Sequence, residues 1–87
     1  KSIFMTYFVY MLMSVSKNKK KTYVGYTNNL DERLKKHNSN TGAKSTKGYK
    51  WVLIFYKKFK TKSEAMSYEY KLKKDKVFRK KILIESI

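Results

Sequence analysis

With 87 residues the chain has room for one small core, near the length at which apolar burial only just outweighs chain entropy. The absence of cysteine excludes a disulfide framework and a cysteine-held zinc site. Twenty-two Lys and Arg against six acids leave a net charge of +16, a field for nucleic acid first and anionic membrane second, and 16% aromatic residues exclude a merely disordered basic tail.

The apolar run over residues 3–15 is broken by Thr6, is too short to span a bilayer and has no small-residue cleavage site after it. Neither a membrane span nor a signal peptide is expected, and the protein should be cytoplasmic and nucleoid-associated. Because the chain opens on Lys rather than Met, its first residues are expected to be foreign or a truncated start.

Residues 7–15, YFVYMLMSV, are rich in β-branched and aromatic side chains without turn formers, which predicts a buried strand. SKNKKK then reads as a turn and TYVGYT, residues 22–27, as a second strand that completes a hairpin. From Asn29 the period changes. Asn29 with Glu32 forms a capping-box pattern, Leu30 and Leu34 share a helical face, and a helix should run to about His37.

Residues 38–49 hold two glycines among small polar and basic residues and read as loop. WVLIFYKKF, residues 51–59, predicts a third strand apolar enough to be central. Thr61 with Glu64 repeats the capping-box pattern and opens a helix over 62–74, and Asp75 caps a third over 76–84. The predicted fold is α+β, one domain over residues 1–87. It has a small three-stranded antiparallel sheet flanked by helices in the order β-β-α-β-α-α.

Three sets of residues could carry chemistry. Arg33 and His37 lie four apart on the first helix and project from one side. Twenty of the 22 basic residues are Lys, so the planar fork of Arg33, which can grip two phosphate oxygens, stands out. Glu69 shares a helical face with Ala65 and Leu72 and should turn inward, where a carboxylate needs a lysine partner or a hard divalent cation. Tyr10 and Tyr23 lie on adjacent strands, and Gly25 beside Tyr23 marks a place of close approach.

With FVY at residues 8–10, YVG at residues 23–25, then Arg33, His37 and a helical Glu69, the chain resembles the GIY-YIG nuclease family over residues 7–74. Phe8 stands where that family's first tripeptide has glycine, and Tyr26 and Thr27 follow Gly25 where some members place a lysine. VGYTNNLDERLKKHN and SEAMSYEYKLKK are similar to two branches, the small stand-alone bacterial proteins and the nuclease domain of the eukaryotic branched-DNA endonuclease. That endonuclease carries a cysteine-rich zinc domain, so this cysteine-free chain fits the stand-alone branch better.

The resemblance implies a metal-dependent DNA endonuclease of low sequence specificity, with a preference for branched or single-stranded DNA and a place in repair or recombination. It implies that Glu69 ligates Mg²⁺ or Mn²⁺ and that Arg33 holds a phosphate oxygen. A tyrosine, Tyr10 in preference to Tyr23, would activate water, with nearby cations lowering its pKa, and His37 would accept or orient its proton. Lys19, Lys20, Lys21, Lys36, Lys44 and Lys47 would grip the DNA backbone. Trp51 or Tyr49 could stack on a base, with core packing the better expectation for Trp51. A non-catalytic nucleic-acid-binding module on the same fold is the alternative.

Overall fold

The computed structural model describes residues 5–15 and 20–87. Strand β1 (Tyr7–Ser14) is followed by β2 (Thr22–Thr27), helix α1 (Leu30–Asn38), a 3-10 turn (Lys44–Thr46), β3 (Trp51–Phe59), α2 (Lys62–Lys74) and α3 (Lys76–Glu85). This is the α+β order expected. Most of the predicted first turn, including Lys19, lies outside the described residues.

The three strands are antiparallel in the order β2-β1-β3, so β3 is an edge strand and not the central one expected from its composition. Apolar content alone misled here. Val9, Met11, Tyr10 and Leu12 of β1 are all at most 1% exposed, and burial on both faces in succession is what a middle strand requires. In β3, Lys57 and Lys58 are exposed, and lysines of this kind protect a free sheet edge from pairing with another chain.

The two faces of β1 build two cores. Val9 and Met11 pack with Val24 and with Ala65, Leu72 and Ile82 from α2 and α3. Tyr10 and Leu12 pack with Trp51, and Leu30 and Leu34 of α1 close over them. A fully buried Val, Leu or Met contributes about 1.5–3 kcal/mol, which makes β1 the main source of cohesion. A one-residue bulge in β3 between the partners of Met11 and Leu12 leaves Ile54 unpaired, and both Ile54 and Phe55 turn toward α2 and α3.

The helix starts follow the capping residues. Asn29 Oδ1 accepts from Glu32 N at 3.1 Å, Thr61 Oγ1 from Glu64 N at 3.1 Å and Asp75 Oδ1 from Phe78 N at 3.0 Å. At Asn29 the reciprocal half of the box is filled from the preceding strand, since Asn29 N donates to Thr27 Oγ1 at 3.1 Å. That bond ties the end of β2 to the start of α1 and so sets where Arg33 and His37 stand.

Candidate active site

The pattern of alternation in β1 sends Tyr10 to the α1 side of the sheet, and the last turn of α1 brings His37 over it. The Tyr10 hydroxyl meets His37 Nε2 at 2.9 Å, and both residues are 1% exposed. On the other side of the ring, His37 Nδ1 lies 3.0 Å from Thr46 Oγ1. The Thr46 hydroxyl donates its single proton to the Ala43 carbonyl at 2.7 Å, so Nδ1 must be the donor to Thr46. His37 Nε2 is then an unprotonated acceptor, and the hydrogen bonds run one way from Tyr10 through His37 and Thr46 to Ala43.

Electrostatics keep the ring uncharged, as an accepting Nε2 requires. Burial, then the charge of Arg33, holds the His37 pKa below its ordinary 6.5, so the ring is neutral at neutral pH. For Tyr10 the outcome differs from the sequence expectation that nearby cations would lower the phenol pKa. Burial raises it strongly, the Tyr23 phenol and the Glu69 carboxylate push the same way, and Arg33 opposes them by charge and hydrogen bonding without prevailing. Removing the phenolate from water outweighs one neighbouring guanidinium.

Tyr23 packs on the same histidine, with ring centroids 4.8 Å apart, and lies 6.3 Å from the Tyr10 ring. Gly25 is directly opposite Tyr10 in the sheet, and a Cβ there would come within 2.6 Å of the Tyr10 oxygen. A Cβ on Gly42 would come within 2.6 Å of His37 Nδ1. Both glycines therefore make room for the rings of the Tyr10–His37 pair.

The loop that supplies Thr46 is held in three places. Asn38 exchanges hydrogen bonds with the Trp51 backbone, accepting from its N–H at 2.6 Å and donating to its carbonyl at 3.1 Å. Asn40, at φ 64°, accepts from Gly48 N at 2.8 Å. Trp51 Nε1 donates to the Thr46 carbonyl at 3.0 Å. Reading the sequence missed Thr46, Gly42 and Asn38. Gly42 gave a weak signal as a glycine near the lone histidine, whereas an isolated Thr in a polar loop gives none.

Arg33 is half-buried and opens onto a cavity of about 450 Å³ that Tyr26, Asn28 and Lys62 also line. Glu69 acts on Tyr10 from α2; its side chain is 18% exposed and pairs with Lys73 at 3.3 Å. Of the two fates considered for this carboxylate, the lysine pair is present. Among the described residues no group of three or more His, Cys, Asp or Glu could hold a metal. A lone carboxylate still suits Mg²⁺, which keeps several waters and takes its other ligands from substrate phosphate.

Tyr10, Tyr23 and His37 are thus in contact, and the charges of Arg33 and Glu69 lie close enough to act on the Tyr10 phenol. Of the expected DNA contacts, Lys21, Lys36, Lys44 and Lys47 are exposed, Lys20 is half-buried, and Lys44 and Lys47 flank Thr46 in the loop. Lys21 Nζ lies 4.6 Å over the Tyr49 ring. Trp51 is 3% exposed and belongs to the core, as expected. Among the described residues no helix is long and apolar enough to cross a membrane.

A hairpin carrying two tyrosines, crossed by a helix with Arg and His and faced by a helical Glu, is the organisation of a small GIY-YIG-type domain. The family model described as the GIY-YIG catalytic domain matches residues 6–81, and the chain belongs to the GIY-YIG family. It is 48% identical over 64 residues to a UPF0213 protein of Oceanobacillus iheyensis, an alignment spanning 72% of this chain and 74% of that one. It is 50% identical over 64 residues to the UPF0213 protein YazA of Bacillus subtilis, spanning 72% of this chain and 65% of the relative. A solution NMR structure of a UPF0213 protein from Bacillus halodurans is 34% identical, with 93% of this chain and 84% of that one covered at a TM-score of 0.46.

Proposed function

We propose that the protein is a metal-dependent DNA endonuclease of low sequence specificity, acting on branched or single-stranded DNA in repair or recombination. The observation that carries this reading is the buried line Tyr10–His37–Thr46, directed by its hydrogen bonds, with Arg33 and Glu69 both acting on Tyr10. A core needing only volume would hold apolar side chains here. Burying a phenol against an imidazole, both satisfied, is the kind of perturbed arrangement that accompanies proton transfer.

In this reading Tyr10 Oη takes a proton from the attacking water while its own proton passes to His37 Nε2. The raised phenol pKa makes a free phenolate unfavourable, so the transfer to His37 is needed at the same moment. The bond from Nδ1 to Thr46 holds the ring with Nε2 toward Tyr10. Arg33 holds a non-bridging oxygen of the scissile phosphate as charge builds. Glu69 would be the protein ligand for Mg²⁺ or Mn²⁺, exchanging its pairing with Lys73 for the ion. When bound, the ion would supply charge neutralisation at the phosphate and stabilise the leaving 3′ oxygen. Lys21, Lys36, Lys44 and Lys47 would hold the DNA backbone without reading sequence.

The test is nicking of supercoiled plasmid and cleavage of flap DNA in Mg²⁺ or Mn²⁺ by the wild type, Glu69→Ala and Arg33→Ala. Cleavage by the wild type alone, abolished by EDTA, is the expected result. Activity that survives both substitutions and EDTA overturns the site, and salt-dependent binding without cleavage of any substrate leaves a non-catalytic basic module.

A further inference from the structure

The chain has two arginines among its 22 basic residues, and the proposed chemistry uses one of them. The other, Arg79 on α3, is half-buried, and its Nε donates to the Leu72 carbonyl at the end of α2 at 2.9 Å. Among the described residues no acid pairs with it. The bond at Nε fixes the guanidinium plane while leaving the terminal nitrogens, which form the fork that matches two phosphate oxygens. A partly buried cation with a fixed plane and no carboxylate is prepared for an anion from outside.

Its surroundings point the same way. Arg79 lines two cavities together with Thr22, the first residue of the edge strand β2. One, of about 190 Å³, is lined by Thr22, Tyr23, Lys73 and Arg79 with Val24; the other, of about 180 Å³, by Thr22, Lys76, Arg79 and Lys80 over the apolar Met11 and Leu83. Neither has an acidic lining residue. Lys73 is also the partner of Glu69, and Tyr23 packs on His37, so the groove starts beside the candidate active site and leads away from it over α3.

We propose that Arg79, with Lys73, Lys76 and Lys80, forms a second phosphate-binding site that holds the backbone of the cut DNA strand beyond the scissile phosphate. The assignment of the strand rests on the nuclease reading; the phosphate site itself rests on the groove. It deepens that reading by giving the substrate a direction across the protein, from Arg33 past Tyr23 to Arg79.

The experiment measures fluorescence anisotropy of a labelled flap DNA as a function of salt. The proteins compared are the wild type, Arg79→Ala, Arg79→Lys, Lys80→Ala and, as a control for charge, Lys58→Ala on the opposite edge of the sheet. Arg79→Ala should weaken binding about ten-fold at low salt and reduce the slope of log affinity against log salt by about one. Arg79→Lys should keep the slope and lose part of the affinity, because the charge remains and the fork does not.

Lys80 is exposed and lies outside the apolar cluster that α2 and α3 share, so Lys80→Ala decides the matter if Arg79→Ala loosens the fold in thermal melting. Its slope should also fall by about one, whereas Lys58→Ala should stay closer to the wild type. Equal effects at Lys80 and Lys58, with Arg79→Ala folded and binding normally, overturn the groove while leaving the nuclease reading standing if the wild type cleaves. Weakened binding confined to the groove variants in a protein that never cleaves supports the phosphate site and overturns the nuclease reading.

Discussion

Tyr10 and His37 are joined through hydroxyl and Nε2 at 2.9 Å inside the protein, with neither residue more than 1% exposed. Tyr10→Phe keeps the ring and removes the bond, leaving Nε2 without a partner. The expected loss of stability is about 1–2 kcal/mol, measured by chemical denaturation. Cleavage should fall by about 10²-fold or more while DNA affinity stays near that of the wild type. Tyr23→Phe is the comparison, and a larger catalytic loss there than at Tyr10 would move the base to Tyr23.

Gly25 makes the Tyr10 position possible. An added Cβ would lie 2.6 Å and 2.8 Å from the Tyr10 phenol oxygen and ring carbon and 3.1 Å from the Tyr23 ring. Tyr10 is packed between sheet and helix and cannot swing away as a flexible chain end would. Gly25→Ala should therefore cost about 1–3 kcal/mol and lower cleavage by displacing the phenol from His37. Unchanged melting and unchanged kinetics would show that the tyrosine relaxes freely.

In the proposed reaction His37 links pH to rate as well as to stability. Its pKa in the folded protein is lowered, mainly by burial and then by Arg33, so below about 6.5 the unfolded chain binds the proton first. The stabilising contribution is complete above that value and is lost as pH falls through the lowered folded pKa. Cleavage should follow the same limb, level across neutral pH and falling only in acid, because Nε2 accepts a proton only when the ring is neutral. A rate that rises on acidification contradicts this role for His37.

Much of the site was legible in spacing. Arg33 and His37 four apart on a capped helix, and Tyr10 and Tyr23 on paired strands, follow from periodicity that tertiary packing did not alter. Two matters were not legible. The central place of β1 depends on which strand is covered on both faces, and the apolar run of β3 looked equivalent until its exposed lysines were seen at a sheet edge. The direction of the Tyr10 pKa depended on depth: composition supplies the cations but not the desolvation that outweighs them. Thr46 reaches His37 through a loop whose fold is set by Asn38, Asn40 and Trp51 at a distance, a relationship no local pattern encodes.

Trp51 gives an optical check on how DNA is held. Its ring is 3% exposed and its Nε1 is bonded to the Thr46 carbonyl, so it has no face for a base. Emission should be that of a buried indole, and titration with single-stranded DNA should not produce the strong quenching that stacking causes. Strong quenching would mean that the loop opens on binding.

The last prediction concerns the far end of the hydrogen-bonded line. Thr46→Val preserves shape and removes the hydroxyl that accepts from His37 Nδ1 and donates to Ala43. The buried Nδ1 proton then lacks an acceptor, at a cost of about 1–3 kcal/mol in unfolding free energy. The histidine can avoid that cost by moving its proton to Nε2, but Nε2 would then be a donor facing the Tyr10 hydroxyl and could no longer take its proton. Cleavage should therefore drop by at least about ten-fold with DNA affinity unchanged, since Thr46 acts through His37 and touches no substrate. Nitrogen NMR of the imidazole separates this from a general loosening: the shifts should exchange between Nδ1 and Nε2 in Thr46→Val. Thr46→Ser, which keeps the hydroxyl, should retain the wild-type tautomer and most of the rate. If Thr46→Val cleaves like the wild type with its tautomer unaltered, Thr46 only packs the loop and does not set which nitrogen of His37 faces Tyr10.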